Sequence, residues 1–346
     1  MTAPVVSDLD RLIQLREQEK LKFSIIIQVD TLCHKLPNFI EKCARAGVKR
    51  VFIGLENINP ESLAGAKKRQ NKITEYRKML LAWKRVGVIT YAGYILGFPN
   101  DTPESILHDI EVIKRELPVD LLEFFYLTPL PGSEDHKKLH TAGIAVDPDM
   151  NKYDLNHVTT AHPRMSRAAW EGVYKSAWQH YYTLPHIEAV LRRAAASRSN
   201  VANTLFLISW FKGCIDIENI HPLEGGYLRM KFRRDRRSGL PLEPALLFYP
   251  RHWWETLVKQ VRWAKLYLGL RRIYLRIKHD AQRFQYMDLA LTPVMDDETE
   301  TRELFRSQAA QTYVGQEQHL DKFRRNPAGA ALAQAAPAQA LPTPAE

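Results

Sequence analysis

The sequence predicts a parallel β/α fold, a partial barrel of about four β/α units followed by a mainly helical region. Three observations carry this. Short apolar, β-branched runs recur at Lys22–Val29, Val48–Leu55, Val88–Leu96 and Asp120–Leu127. Each run stops at a glycine-containing or polar turn that leads into a helical stretch, as in VFIGLENINPESL (Val51–Leu63) and AGYILGFPNDTPE (Ala92–Glu104). The connections are short throughout. Strands that are apolar on both faces and alternate with helices require a parallel sheet with crossover helices, the arrangement of a TIM-like barrel.

Each element has a local cause. Ser7–Lys20 reads as a helix capped by Ser7 or Asp8, with Leu9, Leu12, Ile13 and Leu15 largely on one face. Leu36–Ala46 is a helix with Phe39, Ile40, Cys43 and Ala44 inward, closed by Gly47. Thr74–Val86 is expected to start at Thr74 and end at Gly87. Pro103–Leu117 has Thr102 as N-cap and Pro103 in its first turn. A Pro-rich loop, TPLPGS, precedes a helix from Glu134 to about Thr141. The polar, turn-rich stretch 143–163 marks a boundary, which gives a barrel segment at 1–145. Residues 146–325 form a helical, basic and aromatic region. Arg167–Tyr182, Pro185–Ala196 and Val201–Ile215 are helical there, and Glu243–Asp280 holds two further helical stretches. The Ala/Pro-rich tail 326–346 is expected to be disordered.

Composition is that of a soluble globular chain, with 45% hydrophobic and 25% charged residues. No apolar run approaches the roughly 20 residues of a membrane span. The acidic, helical start does not resemble a secretory leader, so a cytoplasmic setting is expected. Cys33, Cys43 and Cys214 match no metal-ligand spacing, and buried, idle thiols are expected. His136 and His140 stand one helical turn apart, but with no third ligand nearby they read as exposed helix residues; no metal site is predicted. The net charge of +10 is concentrated. Tyr227–Phe284 holds fifteen Lys/Arg against four Asp/Glu, and the rest of the chain is close to neutral.

In a parallel β/α barrel the site forms where strands end and helices begin. The strand assignment alone places Gln28 and Asp30, Glu56 and Asn57, Asn100–Thr102, and Tyr126 and Thr128 at that rim. Read locally, Gly54 and Gly97 are either tight strand–helix turns or places where a ligand approaches the backbone. Glu56 is either a cap or ion-pair partner, or an acceptor for a ligand.

These residues also carry a resemblance. Gly54-x-Glu56 with Leu63, Gly93-x-Ile95-x-Gly97 followed by DTPE, and LTPLPGS (Leu127–Ser133) resemble, in order and spacing, the cofactor-contacting loops of the radical SAM superfamily. Asn71–Tyr76 and Gly87 fit the same pattern. The match runs from Lys22 to about Leu139. It implies S-adenosyl-L-methionine as cofactor, with Gln28, Gly54, Glu56, Gly93, Ile95, Leu96, Gly97 and Thr128 as its binding residues. Glu56 would meet the ribose, and Ile95 and Leu96 would wall the adenine. No catalytic residue is assigned.

The departures are as informative. The family's [4Fe–4S] cluster is held by CxxxCxxC, which occurs nowhere in the 346 residues. The resemblance is to the C-terminal part of the barrel, in the class whose full-length members carry a cobalamin-binding domain; that domain's DxHxxG is absent too. The chain therefore reads as the C-terminal portion of such an enzyme, in the manner of a methyltransferase and inactive alone, with an N-terminal half expected as partner. The alternative is a non-catalytic remnant or binding module that complements a separately encoded half. Lys22–Val29 is expected to be an unpaired edge strand. Residues 251–278 (RHWWETLVKQVRWAKLYLGLRRIYLRIK) mix apolar and basic residues at helical spacing. They read first as a helix packed on the barrel, next as an interfacial helix on the inner face of a membrane serving a small-molecule or lipid substrate, and least as a nucleic-acid surface.

Overall fold

The four apolar runs pair into one sheet. The computed structural model describes residues 3–65, 70–226, 231–236 and 239–325. Strands β1 (Ile25–Val29), β2 (Val48–Glu56), β3 (Ile89–Leu96) and β4 (Leu121–Tyr126) lie side by side in chain order, all parallel. The helices before and between them are α1 (Ala3–Glu17), α2 (Phe39–Ala46), α3 (Pro60–Gly65), α4 (Ile73–Arg85) and α5 (Pro103–Glu116), with α6 (Glu134–Thr141) after β4. This is the predicted partial barrel. The helical region follows as α7 (Arg167–Tyr181), α8 (Leu184–Ala196), α9 (Val201–Gly213) and α10 (Ala245–His279). Met1–Val294 is one compact unit; a second, Met295–Glu346, holds α11 (Glu298–Thr301) and α12 (Gln308–Arg325). The tail 326–346, expected to be disordered, lies outside the described residues.

Strand pleating sorts the side chains onto two faces. On β2, Val51, Ile53 and Leu55 are fully buried and form the helix-side core, while Arg50, Phe52, Gly54 and Glu56 alternate with them on the inner face. The helix side also takes Tyr94, whose hydroxyl donates to Asp109 of α5 at 2.9 Å. Phe39 of α2 meets Trp83 of α4 edge-on at 6.4 Å.

The caps explain most boundaries. Thr102 accepts from the Ser105 amide at 3.2 Å while Ser105 returns a bond to the Thr102 amide, a complete capping box with Pro103 behind it. Thr102→Ala is expected to cost about 1 kcal/mol of stability, read as a shift in the urea midpoint. Gly47 closes α2 at φ +101°, where any Cβ would also run into Arg16. Two expectations are corrected. α4 begins at Ile73 after Lys72, which makes no side-chain cap, rather than at Thr74. The two stretches of Glu243–Asp280 are one 35-residue helix, α10, with Pro250 inside it. Pro250 is the sixth residue of the helix, so one i→i−4 bond is forgone there and the helix runs on beyond it.

The two sheet edges differ. Side chains from the helical region cover β4: the hydroxyls of Tyr181 and Tyr182 donate to the carbonyls of Val119 and Leu122 at 3.1 and 2.9 Å. β1, at the other edge, pairs only with β2 among the described residues and leaves Ile26 56% exposed, in line with the expected open edge.

Candidate functional site

The loop after β2 is built by its own side chains. The Asn71 amide donates to the carbonyls of Gly54 and Leu55 at 2.7 and 3.0 Å. The Tyr76 hydroxyl lies 3.1 Å from the carbonyls of both Leu55 and Asn57, and Asn57 accepts from the Asn59 amide at 2.7 Å. This holds Glu56 in the left-handed region at φ +64°, uncommon for a residue with a Cβ. Its carboxylate folds back over Gly54, so that a Cβ at Gly54 would stand 3.0 Å from Oε1. Gly54 pairs in register with Gly93 of β3. Above Gly93 the space is already bounded by the rings of Phe52 and Phe125, at 3.0 and 3.2 Å from where a Cβ would project.

The β3 turn is tied down more tightly. Gly97 has φ +99°, and Trp170 of α7 occupies the volume a Cβ would need. The buried Asp101 carboxylate accepts from the amides of Gly97 and Phe98, both at 2.9 Å. Burial raises its pKa despite those two bonds. His162 accepts at Nδ1 from the amides of Arg164 and Met165, so its proton sits on Nε2, which donates to the Phe98 carbonyl at 2.8 Å. The glycine at 97 is therefore required by backbone conformation and by Trp170, a contact from beyond the expected barrel boundary.

The predicted residues fall into two groups. Gln28, Gly54, Glu56, Gly93 and Ile95 share the inner face, with Gln28 exposed on β1 opposite Phe52. Leu96 and Gly97 do not join them. The pleat turns Leu96 into the fully buried helix side, so the apolar wall on the inner face consists of Ile95 with Phe52 and Phe125 rather than Ile95 with Leu96. Tyr126, expected at the same mouth, stacks on Tyr174 of α7 at 4.1 Å and is 7% exposed. Thr128 lies in the loop after β4 and bonds back to the Tyr126 carbonyl at 3.3 Å. A cavity of about 1110 Å³ opens at the other end, near the strand N-termini, lined by Ile26, Arg50, Tyr91, Asn203, Phe206 and Phe211.

Between that cavity and the rim lies a polar cluster that sequence reasoning did not reach. Glu123 of β4 is fully buried; the Tyr91 hydroxyl donates to its Oε2, and its Oε1 has no hydrogen-bond partner among the described residues. His221 Nε2 stands 3.6 Å from that orphan oxygen and 3.2 Å from the Phe124 carbonyl. His221 Nδ1 accepts from the Leu223 amide, so Nε2 carries the proton. Burial pushes Glu123 up to about 7 and His221 down to about 4. The only sequence signal is a glutamate inside an otherwise apolar strand.

The residues present do not fit an iron–sulfur cluster. All three thiols are buried, and burial pushes each up to about 12, which opposes thiolate ligation. Among the described residues, no three His, Cys, Asp or Glu side chains are grouped to hold a metal ion. The inner-face corner fits a nucleoside in part: a carboxylate lies over the Gly54 backbone, beside an apolar wall.

No protein-family model matches the chain. It is 22% identical over 179 residues to bacteriochlorophyllide d C-8(2)-methyltransferase of Chlorobaculum tepidum, covering 51% of this chain and 38% of the relative. To bacteriochlorophyllide d C-12(1)-methyltransferase of the same organism it is 27% identical over 124 residues, or 35% and 26% of the two chains. It thus spans well under half the length of these curated relatives. Among solved structures, the radical S-adenosylmethionine methyltransferase TsrM of Kitasatospora setae, with tryptophan and a SAM analogue bound, overlaps at 18% identity over 36% of this chain and 24% of that one. The TM-score there is 0.30. Three loop motifs that resemble those of the radical SAM superfamily thus lie in order on successive strands of a parallel sheet, and CxxxCxxC occurs nowhere in the 346 residues.

Proposed function

We propose that this chain forms the adenosyl-binding side of a radical SAM site, in an enzyme of the cobalamin-dependent methyltransferase kind, and that a segment bearing CxxxCxxC completes the site. The observation that carries the reading is the Gly54–Glu56 corner, where the Glu56 carboxylate lies over the Gly54 backbone on the inner face of the sheet. When bound, SAM would supply an electrophilic sulfonium. This chain's residues bind and orient: Glu56 accepts from ribose hydroxyls, Gln28 reaches in from β1, and Ile95, Phe52 and Phe125 receive the flat ring. The two methyltransferase relatives support the reaction class. The substrate is a small molecule or lipid, and the setting is the cytoplasm with residues 251–278 against the inner membrane face. No helix among the described residues is long and apolar enough to cross a membrane.

Titration of the chain with SAM, followed by backbone amide NMR, is expected to shift Gly54 and Gly93. Glu56→Gln should weaken binding about tenfold, the worth of a charge-assisted hydrogen bond. Unmoved Gly54 and Gly93 signals, or equal affinity in the variant, would refute the assignment. Anaerobic incubation with iron and sulfide should yield no stable [4Fe–4S] spectrum from this chain; a stable cluster would overturn the division of labour. One observation favours the second reading, a non-catalytic module that complements a separate half: the open β1 edge beside Ile26 and Gln28, which offers unpaired backbone groups to another strand.

A further inference from the structure

The turn between α8 and α9 departs twice from the usual pattern of a helix end. The Arg198 amide donates to the Ala195 carbonyl at 3.0 Å and the Ser199 amide to the Ala194 carbonyl at 2.9 Å, which is the Schellman closure of α8. That closure needs a left-handed residue, normally glycine, and an apolar residue commonly follows it. Here the left-handed residue is Arg198, at φ +55°, and Ser199 follows. Ser199 is 7% exposed, and its hydroxyl has no hydrogen-bond partner among the described residues. A side chain in left-handed backbone and a buried hydroxyl left unpaired both work against stability.

Both residues line a cavity of about 540 Å³, bounded by the start of α9, the end of α10 and the short turn Arg283–Gln285. Asn200 caps α9 by accepting from the Asn203 amide at 3.0 Å, which leaves the amides of Val201 and Ala202, on the cavity wall, without carbonyl partners. Lys278 and Arg283 line the same space. The guanidinium carbons of Arg283 and Arg198 stand 4.3 and 5.9 Å from the centroid of one ring, Phe284. None of these three cations is ion-paired among the described residues, and no described acidic residue lines the cavity. Asp280, which lies near Arg283, is engaged by Arg192 at 3.1 Å and by the Gln282 amide at 2.9 Å. Three like charges, the positive end of a 13-residue helix and an unspent hydroxyl therefore meet at one cavity.

The charge and donor count selects the ligand. A carboxylate would balance one cation and offer two oxygens. A phosphate group carries roughly two negative charges and three acceptor oxygens, enough for guanidinium, ammonium, amide and hydroxyl donors together. We propose that the 198–202 turn, with Lys278 and Arg283, binds the phosphate group of a small molecule, and that Arg198 and Ser199 stand in the cap for this purpose. The Arg198 carbonyl lies 3.3 Å from where a Cβ on Gly87 would stand, just before β3 begins. The site is thus at the other end of the sheet from the Gly54–Glu56 corner and does not depend on the SAM reading.

The test is calorimetric titration of the full chain with inorganic phosphate and with glycerol 3-phosphate, at an ionic strength held constant with sodium chloride. Saturable binding at one site per chain is expected, with the amide NMR signals of Val201 and Ala202 shifting. Tighter binding of the ester would assign the site to an organic phosphate, and equal binding to the phosphate group alone; either supports it. Arg198→Gly relieves the left-handed backbone and Ser199→Ala removes an unpaired hydroxyl, so both variants should melt no lower than wild type. Each should nevertheless weaken phosphate binding about tenfold. Lys278→Gln, at an exposed position, should weaken it as well. No saturable binding of either compound would overturn the proposal. So would wild-type affinity in Arg198→Gly and Ser199→Ala, a lowered melting temperature in both, or binding seen only with an oligonucleotide.

Discussion

Asp120→Ala is expected to destabilise the chain by about 3–5 kcal/mol, enough to leave much of it unfolded at 37 °C. Lys84 of α4 and Asp120, just before β4, form an ion pair with side chains 3% and 1% exposed. The second carboxylate oxygen accepts from the Thr90 amide at 2.8 Å and its hydroxyl at 3.1 Å, which joins the starts of β3 and β4. Burial lowers the Lys84 pKa, and the carboxylate beside it holds the charge in place. Removing Asp120 strands an ammonium and a backbone N–H together in a dry site, and neither can reach water. Urea titration checks this directly. A second variant separates lost partnership from lost packing: Lys84→Met with Asp120→Asn keeps an acceptor for Thr90 and removes both charges, so it should recover most of the stability. If Asp120→Ala shifts the midpoint no more than an exposed control, the pair does not organise the sheet.

That ion pair also illustrates what the sequence makes visible. Periodicity and caps located every strand and the helices as far as α10, but not α11 or α12, because those signals are local: Thr102 with Pro103, Gly47 and the β-branched runs each act on neighbouring residues. The rim residues followed from the strand ends. Which of them share a face depended on pairing register, and once β2 and β3 align Gly54 with Gly93, the pleat sends Ile95 inward and Leu96 outward. Other features rest on contacts between distant residues and leave no local trace. Trp170 fills the place that made Gly97 look like a ligand contact. Tyr174 takes Tyr126 away from the mouth, and the two stretches expected in Glu243–Asp280 are the single helix α10. Glu123 is the same case at greater range, since its neighbour His221 comes from nearly a hundred residues further on.

Removing either member of the Glu123–His221 pair is expected to tilt stability against pH, in opposite directions. The folded state holds Glu123 near 7, above its ordinary 4.5. A raised carboxyl contributes stability that is full below 4.5 and is lost as pH climbs toward 7. His221 is held near 4, below its ordinary 6.5. A depressed imidazole contributes stability that is full above 6.5 and is lost as pH falls toward 4. Between 4.5 and 6.5 the unfolded chain keeps one proton on the imidazole, and the folded chain keeps one on the carboxyl, so the pair takes up no net proton and the two slopes cancel. In His221→Gln only the glutamate remains, and stability relative to wild type should fall by roughly 2–3 kcal/mol from pH 4.5 to 6.5. In Glu123→Gln only the histidine remains, and the relative stability should rise by a similar amount over the same range. Asp109, also held near 7, tilts all three proteins alike and drops out of the comparison. Urea midpoints at three pH values decide it. Tilts of the same sign in both variants, or none, would mean that the carboxyl beneath Tyr91 does not keep its proton, and the inner face of the sheet would then hold a buried charge instead of a neutral acid.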